Sequence, residues 1–479
     1  MHWLRGAVGV GFAALVAACS SASSTPASGS APSAGKIQHI VILVQENRSF
    51  NNLFAGFPGA TTAMQGLCKP APHAYWCKTA HEVPLKALSL AQGPPTYGGQ
   101  DICHSHDCFV TECDPTAAKV CRNDGFDLIG FGESSHGQPA KNYPYAYVRR
   151  SDIKAYWKLA KQYTIADEMF FTETASSFIA HQVLISGSVA LNNHESLTDQ
   201  PNIQPWGCDA YPKSAVHTPL LIKNDRYGRV DNNGPFPCFT YPTIADLLDD
   251  HNASWRYYVD PAFGSHFDSS GQVWNGFRAI KQIFYGPDWK RNIRYPNTKF
   301  FNDVNAGALP AVSWVIPSLY DSDHPASGCN GGPNWVTRVV NAVGTSQYWK
   351  NTAIVLVWDD WGGWYDPGPP AWVSYSRLGF RVPMIVISPF AKPHNVSHTH
   401  YDFGTIVKFI EETYGLGRIG GLDGADVSAS SMQDAFDFTQ SPNVFTPASP
   451  PPVNPSCSGT LAGPQVMRAI LKANDGAPD

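Results

Sequence analysis

The sequence predicts an α/β fold in which a central, mostly parallel sheet is covered by helices on both faces. Two observations support this prediction. Apolar segments typical of buried strands alternate along the 479-residue chain with segments of helical period. Several apolar segments also end abruptly in acidic, amide or histidine side chains, as expected where a ligand site lies beyond the carboxyl edge of an open α/β sheet.

The first predicted strand lies within residues 39–54, HIVILVQENRSFNNLF. Residues 40–44 form an unbroken β-branched and aliphatic run, which is typical of a strand buried on both faces. Glu46 and Asn47 follow this run almost at once. A carboxylate and an amide at this position indicate a site at the end of the strand.

Three later segments repeat the pattern of a buried strand, and three others have a helical period. The strand-like segments are 309–325, 351–366 and 381–393. In the second of them, Asp359 and Asp360 directly follow an apolar run. The helical segments are 241–251, 334–346 and 403–415. Residues 58–125 and 187–240 are rich in Cys, Pro, Gly and Asn, which predicts loop-rich insertions.

The amino-terminal residues are typical of an export signal. Arg5 precedes an apolar run over residues 7–18 that is too short to span a membrane. Cys19 then follows small residues, as in a bacterial lipoprotein signal, and ordinary cleavage nearby is the alternative. We expect a signal peptide over 1–18 and an exported protein that is periplasmic, secreted, or attached to the outer membrane through lipidated Cys19.

The rest of the chain divides by composition into three parts. Residues 19–36 are a Ser/Ala/Gly/Pro-rich tether, residues 37–440 are the predicted catalytic domain, and residues 441–479 form a Pro-rich tail and carboxyl-terminal segment. The formal net charge of −5 gives no reason to propose nucleic-acid binding, which usually needs a basic face. We therefore expect no nucleic-acid partner.

Ten cysteines follow Cys19, and an even number in an exported chain favours disulfides. Four of them lie close together with two histidines between them, which raises the alternative of a zinc site. The spacing lacks the paired C-x2-C segments of structural zinc sites, so disulfides are the preferred interpretation. The cluster comprises Cys103, His104, His106, Cys108, Cys113 and Cys121.

Two acidic strand ends predict a metal site. Neighbouring parallel strands would bring Glu46 and Asn47 close to Asp359 and Asp360. Three converging carboxylates repel one another unless a cation lies between them. Oxygen donors suit a hard divalent metal such as Mg, Ca or Mn, and carboxylates also accept Zn. The alternative is that Asp359 and Asp360 only cap a turn after the strand.

A serine pair and two histidines are candidates for the chemistry. Ser176 and Ser177 precede a helical segment, where a serine is commonly an N-cap. The same position favours phosphate, and a hydroxyl that touches a metal can become a nucleophile. His104 and His324 fall in polar loops near predicted strand ends. They are either solvated or able to bind phosphoryl oxygens and protonate a leaving group.

Five segments stand in order along the chain: HIVILVQENRSFNNLFAGFPGA, SSFIAHQ, SDHP, VWDDWGGWYD and RVPMIVISPFAKP with the VSHTHYDFGTIVKFIEETYGL that follows it. Together they resemble the bacterial phosphoesterase family, which holds non-specific phospholipases C and AcpA-type acid phosphatases on an alkaline-phosphatase-like fold. The resemblance extends from about residue 37 to residue 437. It differs from the usual family pattern at Asn51, Ala180 and Pro367, where the family commonly has Asp, Asn and His.

The resemblance implies a role for each candidate residue. Ser177 matches the nucleophile, and His104 and His324 match the histidines around the phosphoryl group, with Asn47 as a further phosphate contact. The matched ligands of one divalent cation are Glu46, Asn47, Asp359 and Asp360.

The implied reaction is metal-dependent hydrolysis of a phosphomonoester or a phospholipid through a phosphoseryl intermediate. One alternative is a phospholipase C strictly specific for phospholipid head groups, and another is a catalytically inactive surface binding protein on the same fold. Sulfatase-type chemistry would need a C/S-x-P-x-R motif, which the sequence lacks.

Overall fold

The computed structural model describes residues 35–92, 99–132, 138–223, 227–262, 270–325 and 327–452. The expected signal peptide, Cys19 and nearly all of the tether therefore lie outside the described residues, as does the end of the tail. The domain bounds inferred from composition stay predictions.

Sixteen strands occur in the described part of the chain. In chain order they are β1 (His39–Gln45), β2 (Gln65–Leu67), β3 (Glu82–Pro84), β4 (Lys86–Leu88), β5 (Ala146–Val148), β6 (Thr164–Ala166), β7 (Ala190–Asn192), β8 (Glu195–Leu197), β9 (Leu220–Ile222), β10 (Arg229–Asp231), β11 (Trp255–Tyr258), β12 (Ile293–Arg294), β13 (Val312–Val315), β14 (Thr352–Trp358), β15 (Met384–Ile387) and β16 (Asn395–Ser397).

Twelve α-helices accompany these strands in the same ranges. They are α1 (Phe50–Phe54), α2 (His106–Cys113), α3 (Lys154–Gln162), α4 (Ser177–Ser186), α5 (Ile244–Asp250), α6 (Ser270–Val273), α7 (Lys281–Phe284), α8 (Pro287–Asn292), α9 (Lys299–Asn305), α10 (Gly331–Gly344), α11 (Phe403–Tyr414) and α12 (Ala425–Ser428). Among the helices of the described segments, none combines the length and the apolar character that crossing a bilayer requires.

Eight strands form the central sheet, in the order β12-β11-β13-β1-β14-β15-β6-β16. Strand β15 runs antiparallel to its neighbours β14 and β6, and every other pairing in the sheet is parallel. The prediction of an α/β fold with a mostly parallel sheet is confirmed. The sequence pattern of 381–393 predicted a buried strand, and β15 is that strand.

Strand β1 lies in the middle of the sheet. It pairs in parallel with β13 on one side and β14 on the other. All its residues from Ile40 onward are buried. Because successive side chains of a strand point to opposite faces, this burial shows that both faces of the sheet are covered. Helices α3 and α10 pack together over the sheet, and α4 packs against α11.

The two predicted insertions contain short elements that composition did not predict. Residues 58–125 hold the β2–β3 pair and α2, and residues 187–240 hold a four-stranded antiparallel sheet in the order β10-β9-β8-β7. Glycine- and proline-rich loops connect these elements, so the insertions are loop-rich as expected.

Disulfides cross-link the insertions, and this confirms the preferred interpretation of the cysteines over the zinc alternative. Cys329 is also disulfide-bonded. The bridges between described cysteines are Cys68–Cys77, Cys103–Cys108, Cys113–Cys121 and Cys208–Cys238.

The described part of the Pro-rich tail packs along α10. Asn341 on that helix donates its side-chain N–H to the carbonyl of Ala448 at 2.9 Å and accepts the backbone N–H of Ala448 at 3.1 Å. The ring of Phe445 lies 5.0 Å from that of Trp349, measured between centroids. Residues 441–452 thus cover a helix with polar and aromatic contacts.

Candidate active site

The predicted acidic strand ends meet at the carboxyl edge of the sheet. Strands β1 and β14 pair in parallel with Gln45 opposite Trp358. The residues that follow each strand, Glu46 and Asn47 after β1 and Asp359 and Asp360 after β14, therefore emerge side by side. This register explains why an apolar strand ends in a carboxylate and an amide.

Hydrogen bonds fasten these two strand ends to each other. The backbone N–H of Asn47 donates to Asp359 Oδ1 at 2.8 Å. The backbone N–H of Arg48 donates to the carbonyl of Asp360 at 3.0 Å. Asn47 has a positive φ of 55°, so the chain turns sharply as it leaves the strand. The side chains of all these residues, like that of Glu46, are fully buried.

The buried carboxylates have unused oxygen atoms. Glu46 Oε2 and Asp359 Oδ2 have no hydrogen-bond partner among the described residues. Burial and the charge of Asp359 raise the pKa of Glu46 well above its usual range, and the same two causes raise the pKa of Asp360. A cation between these groups would remove their repulsion and occupy the unpaired oxygens.

His181 completes this acidic cluster, and its role was not predicted. Ligand atoms of Glu46, His181 and Asp359 all lie within 4.8 Å of one another. His181 Nε2 is 3.1 Å from Glu46 Oε1. Burial lowers the pKa of His181 to about 4, so the imidazole is neutral at ordinary pH. A neutral imidazole can either donate to Glu46 or offer a lone pair to a cation.

These observations show that the residues present fit a divalent cation. Two strands supply buried carboxylates with unpaired oxygens, and one imidazole stands within reach. A set of oxygen donors suits Mg, Ca or Mn, and the added nitrogen donor also suits Zn. The geometry therefore supports a cation site and leaves the identity of the metal open.

Ser177 is the first residue of α4, and Ser176 is the N-cap. The interpretation of Ser177 as an N-cap is thus wrong by one position, and the Ser176 side chain makes no capping hydrogen bond. Ser177 Oγ donates to Asp360 Oδ2 at 3.0 Å and lies 3.5 Å from Asn47 Oδ1. Its hydroxyl therefore faces the acidic cluster from the amino end of a helix.

His104 belongs to the same cluster of side chains. Its Nδ1–H donates to the carbonyl of Ile102 at 2.7 Å, which leaves Nε2 to accept the side-chain N–H of Asn47 at 3.0 Å. The same Nε2 is 3.9 Å from Asp360 Oδ2. The Cys103–Cys108 disulfide closes a small loop around this histidine and limits its movement.

His324 borders the cluster and makes no hydrogen bond to it. Its Nδ1–H donates to the carbonyl of Pro325 at 2.5 Å. Its ring packs 5.8 Å from the ring of Trp274, which in turn stacks on His181 at 6.5 Å. Burial lowers the pKa of His324, and the negative charges of Asp101 and Asp359 oppose that effect.

The loop that carries His324 is held against β1. The side chain of Gln45 accepts the backbone N–H of Asp323 at 2.8 Å, and Arg48 Nε donates to the carbonyl of Asp323 at 2.8 Å. Asp323 Oδ2 accepts the hydroxyl of Tyr156 at 2.8 Å and the indole N–H of Trp358 at 3.0 Å. The last residue of β1 and the residues that follow it therefore position this histidine as well as the acidic cluster.

The arrangement can support nucleophilic transfer of an electrophilic, negatively charged group. It holds a hydroxyl with a carboxylate acceptor, buried carboxylates that fit a cation, and a helix amino terminus that favours anions. His104 contacts Asn47 and lies 3.9 Å from Asp360, the two residues that the hydroxyl also contacts, and His324 borders the cluster beside Trp274.

Comparisons with known proteins agree with this chemistry. The Phosphoesterase family model matches residues 37–417. Phospholipase C A of Mycobacterium tuberculosis is 27% identical, over 92% of this chain and 84% of the relative. Phospholipase C B of the same organism is 24% identical, over 86% of this chain and 80% of the relative. A solved protein of the alkaline phosphatase superfamily from Vibrio parahaemolyticus is similar at 12% identity with a TM-score of 0.36, covering 85% of this chain and 73% of that chain.

Proposed function

Because this chain belongs to the Phosphoesterase family and is a hydrolase of phosphoric esters, we propose that Ser177 is its nucleophile and that it depends on a divalent cation. The observation that carries the proposal is the 3.0 Å hydrogen bond from Ser177 Oγ to Asp360 Oδ2. It places a hydroxyl against a buried carboxylate at the edge of the acidic cluster.

The cation would be held by side chains that follow the two central strands. A divalent ion there would offset the carboxylate charges and stabilise negative charge on the group that is transferred. The proposed ligands are Glu46, Asn47, Asp359 and Asp360, with His181 as a neighbour able to bind or orient them.

The chain's own residues account for the proton movements. Ser177 Oγ attacks the phosphorus, its proton moves to Asp360 Oδ2, and the bond from phosphorus to the leaving oxygen breaks. In its protonated form, His104 or His324 donates a hydrogen bond to a phosphoryl oxygen or gives its proton to the leaving oxygen. Water then attacks the phosphorus of the phosphoserine and returns one proton to that imidazole. As the bond from phosphorus to Ser177 Oγ breaks, the proton on Asp360 returns to Ser177, and the product is phosphate from a monoester or a phosphomonoester from a lipid.

Phosphomonoesters and phospholipids are both proposed as substrates. The relatives named phospholipase C support a phospholipid, and the buried hydroxyl–carboxylate pair is chemically suited to either ester. Hydrolysis of p-nitrophenyl phosphate compared with that of p-nitrophenylphosphorylcholine separates the two. A protein that hydrolyses neither would support the alternative of a binding protein with an inactive site.

We predict that Ser177→Ala lowers kcat by several orders of magnitude and costs only about 1–3 kcal/mol of stability, because Asp360 loses one hydrogen bond while the capping of α4 is unaffected. The measurement is steady-state hydrolysis of a phosphomonoester, together with mass spectrometry of the wild type after acid quench to find a phosphate adduct.

Ser176→Ala is the matched control. The Ser176 hydroxyl is buried one residue earlier and has no hydrogen-bond partner among the described residues, so its removal should leave kcat within a few-fold of the wild type. Should Ser177→Ala retain more than about a tenth of wild-type kcat, the covalent mechanism would be untenable.

A further inference from the structure

A groove with a volume of about 460 Å³ lies outside the candidate active site. Apolar and aromatic side chains form most of its walls, and two lysines stand among them. Trp76, Leu88 and Tyr143 line it beside Lys86 and Lys141.

The two lysines are not neutralised by acids. Neither Lys86 nor Lys141 forms an ion pair with any residue of the described ranges. The ammonium group of Lys141 instead lies 5.0 Å from the ring centre of Tyr75 and 5.8 Å from that of Trp76. The groove therefore presents positive charge on an aromatic platform, although the whole chain has a net charge of −5.

The aromatic platform is fixed in place and partly exposed. Trp76 donates its indole N–H to Asp127 Oδ2 at 2.9 Å, which sets the orientation of the ring. Tyr75 is 67% exposed and Met64 is 50% exposed. The carbonyl of Met64 accepts the backbone N–H of Leu85, the residue before Lys86, so this exposed side chain is near the groove. Amphipathic aromatics beside lysines are typical of surfaces that lie in a membrane interface.

The groove is separated from the candidate active site by a few side chains. Tyr143 lines the groove, and its ring is 5.4 Å from that of Trp364. The guanidinium carbon of Arg48 lies over the ring of Trp364, 5.0 Å from its centre, and Arg48 directly follows Asn47. A surface bound at the groove would thus lie close to the residues proposed to cleave phosphoric esters.

We propose that this groove docks the protein on the surface of a bilayer that contains anionic phospholipid. Lys86 and Lys141 would meet lipid phosphates, while Tyr75, Trp76 and Met64 enter the interface. The docking goes beyond the proposed function, because it concerns binding to a surface and not the cleavage of an ester. Its use for a lipid substrate rests on that proposed function.

Co-sedimentation with vesicles tests the docking. Phosphatidylcholine vesicles are compared with vesicles that also contain phosphatidylglycerol. Every protein tested carries Ser177→Ala so that it does not hydrolyse the lipid, and a phosphorus assay checks that the lipid stays intact. We expect stronger partitioning with phosphatidylglycerol and its loss at high salt. Lys86→Glu with Lys141→Glu should weaken partitioning at least about 30-fold, the factor for loss of two lysine contacts.

Lys281→Glu with Lys290→Glu is the matched control, since it makes the same charge change at exposed positions elsewhere and should leave partitioning within about threefold. The proposal would be overturned if the control variant lost partitioning to the same extent, or if partitioning were the same with and without phosphatidylglycerol. Binding of poly-glutamate but not of vesicles would overturn it in favour of an acidic polypeptide. With Ser177 restored, the Lys86/Lys141 variant should hydrolyse soluble p-nitrophenyl phosphate like the wild type, so that failure of docking and failure of catalysis are distinguishable.

Discussion

At the scale of single residues, Asp359 has a buried carboxylate oxygen that is free to bind a cation. One of its carboxylate oxygens accepts the backbone N–H of Asn47, and the other is buried with no partner among the described residues. Glu46 has an unpaired oxygen in the same cluster. A charged group left unpaired in the interior costs stability, about 1–3 kcal/mol or more. Binding of a divalent cation should therefore stabilise the fold itself, independently of turnover.

We predict that the melting temperature rises when divalent cation is added and falls with a strong chelator. At a free cation concentration about 100 times Kd, the gain in unfolding free energy is about 2.7 kcal/mol. Asp359→Asn should remove most of this gain, and its chelator-treated form should be at least as stable as chelator-treated wild type because one repelling charge is lost. Thermal melts and elemental analysis measure both effects.

Asp250→Asn serves as the control for that comparison, since Asp250 is exposed on α5 and should keep the full cation response. If neither cation nor chelator changed the melting temperature of the wild-type protein, that result would contradict the cation site.

Among the secondary-structure elements, the turn after β14 sets the geometry of the site. Gly362 has a φ of +61°, and its backbone N–H donates to Asp360 Oδ1 at 2.7 Å. That bond leaves Asp360 Oδ2 for Ser177. A Cβ at Gly362 would lie 2.4 Å from the carbonyl oxygen of Asn47, so the two strand ends can approach only because this residue is glycine.

We predict that Gly362→Ala costs at least about 2 kcal/mol of stability and lowers kcat by more than about tenfold, because the clash displaces Asn47 and adds backbone strain. Gly417→Ala is the control: its φ is +83° and nothing lies within 4 Å of the added Cβ. It should cost about 1 kcal/mol from the backbone alone and leave kcat unchanged. Urea unfolding measures the two losses of stability, and steady-state kinetics measures kcat of both variants. Equal effects of the two substitutions would contradict a special role for the turn.

The sequence predicted long elements better than short ones. The segment of helical period at 403–415 corresponds to α11. The segment at 334–346 overlaps α10 and extends two residues beyond its end. The antiparallel sheet of three-residue strands between 190 and 231 was missed, because strands so short carry no readable alternation. His181 was not assigned a role because every residue of α4 is buried, so that no polar face singles it out. Its spacing of four residues from Ser177 was the available signal.

At the scale of the whole molecule, buried polar contacts bind distant segments together. Asp323 links the His324 loop to α3 through Tyr156, to β14 through Trp358 and to the end of β1 through Arg48. Its second carboxylate oxygen has no partner among the described residues. Burial raises the pKa of Asp323 to about 6. The alternation of apolar and helical segments predicted the sheet, but no local pattern predicts such long-range contacts.

This pKa gives a prediction for stability against pH. A raised pKa means that the folded state holds the proton more tightly, so its stabilising effect is complete below the unfolded value of 3.8 and is lost as pH rises through about 6. The loss amounts to about 3 kcal/mol. Asp323→Asn keeps an acceptor for Tyr156 and Trp358 but cannot ionise. The decrease of the unfolding free energy between pH 4 and 7 that ionisation of Asp323 causes should therefore be absent from this variant.

Urea unfolding at several pH values between 4 and 7 measures the difference in slope between wild type and Asp323→Asn. The exposed Asp250→Asn variant should keep the wild-type slope. Parallel curves for wild type and Asp323→Asn would show that the carboxyl of Asp323 ionises normally in the folded protein.

The place of β1 in the sheet has a consequence for biosynthesis. Its two neighbours are β13 and β14, so during synthesis this apolar strand has two open edges until residues 312–358 have been made. Pairing over such sequence distances closes large loops and is slow. A nascent chain that stops short of β13 exposes an aggregation-prone strand, and it needs a chaperone or rapid removal. Since Glu46 meets Asp359 only when β14 joins β1, the acidic cluster cannot form in an incomplete chain, and hydrolytic activity begins only after the sheet has closed.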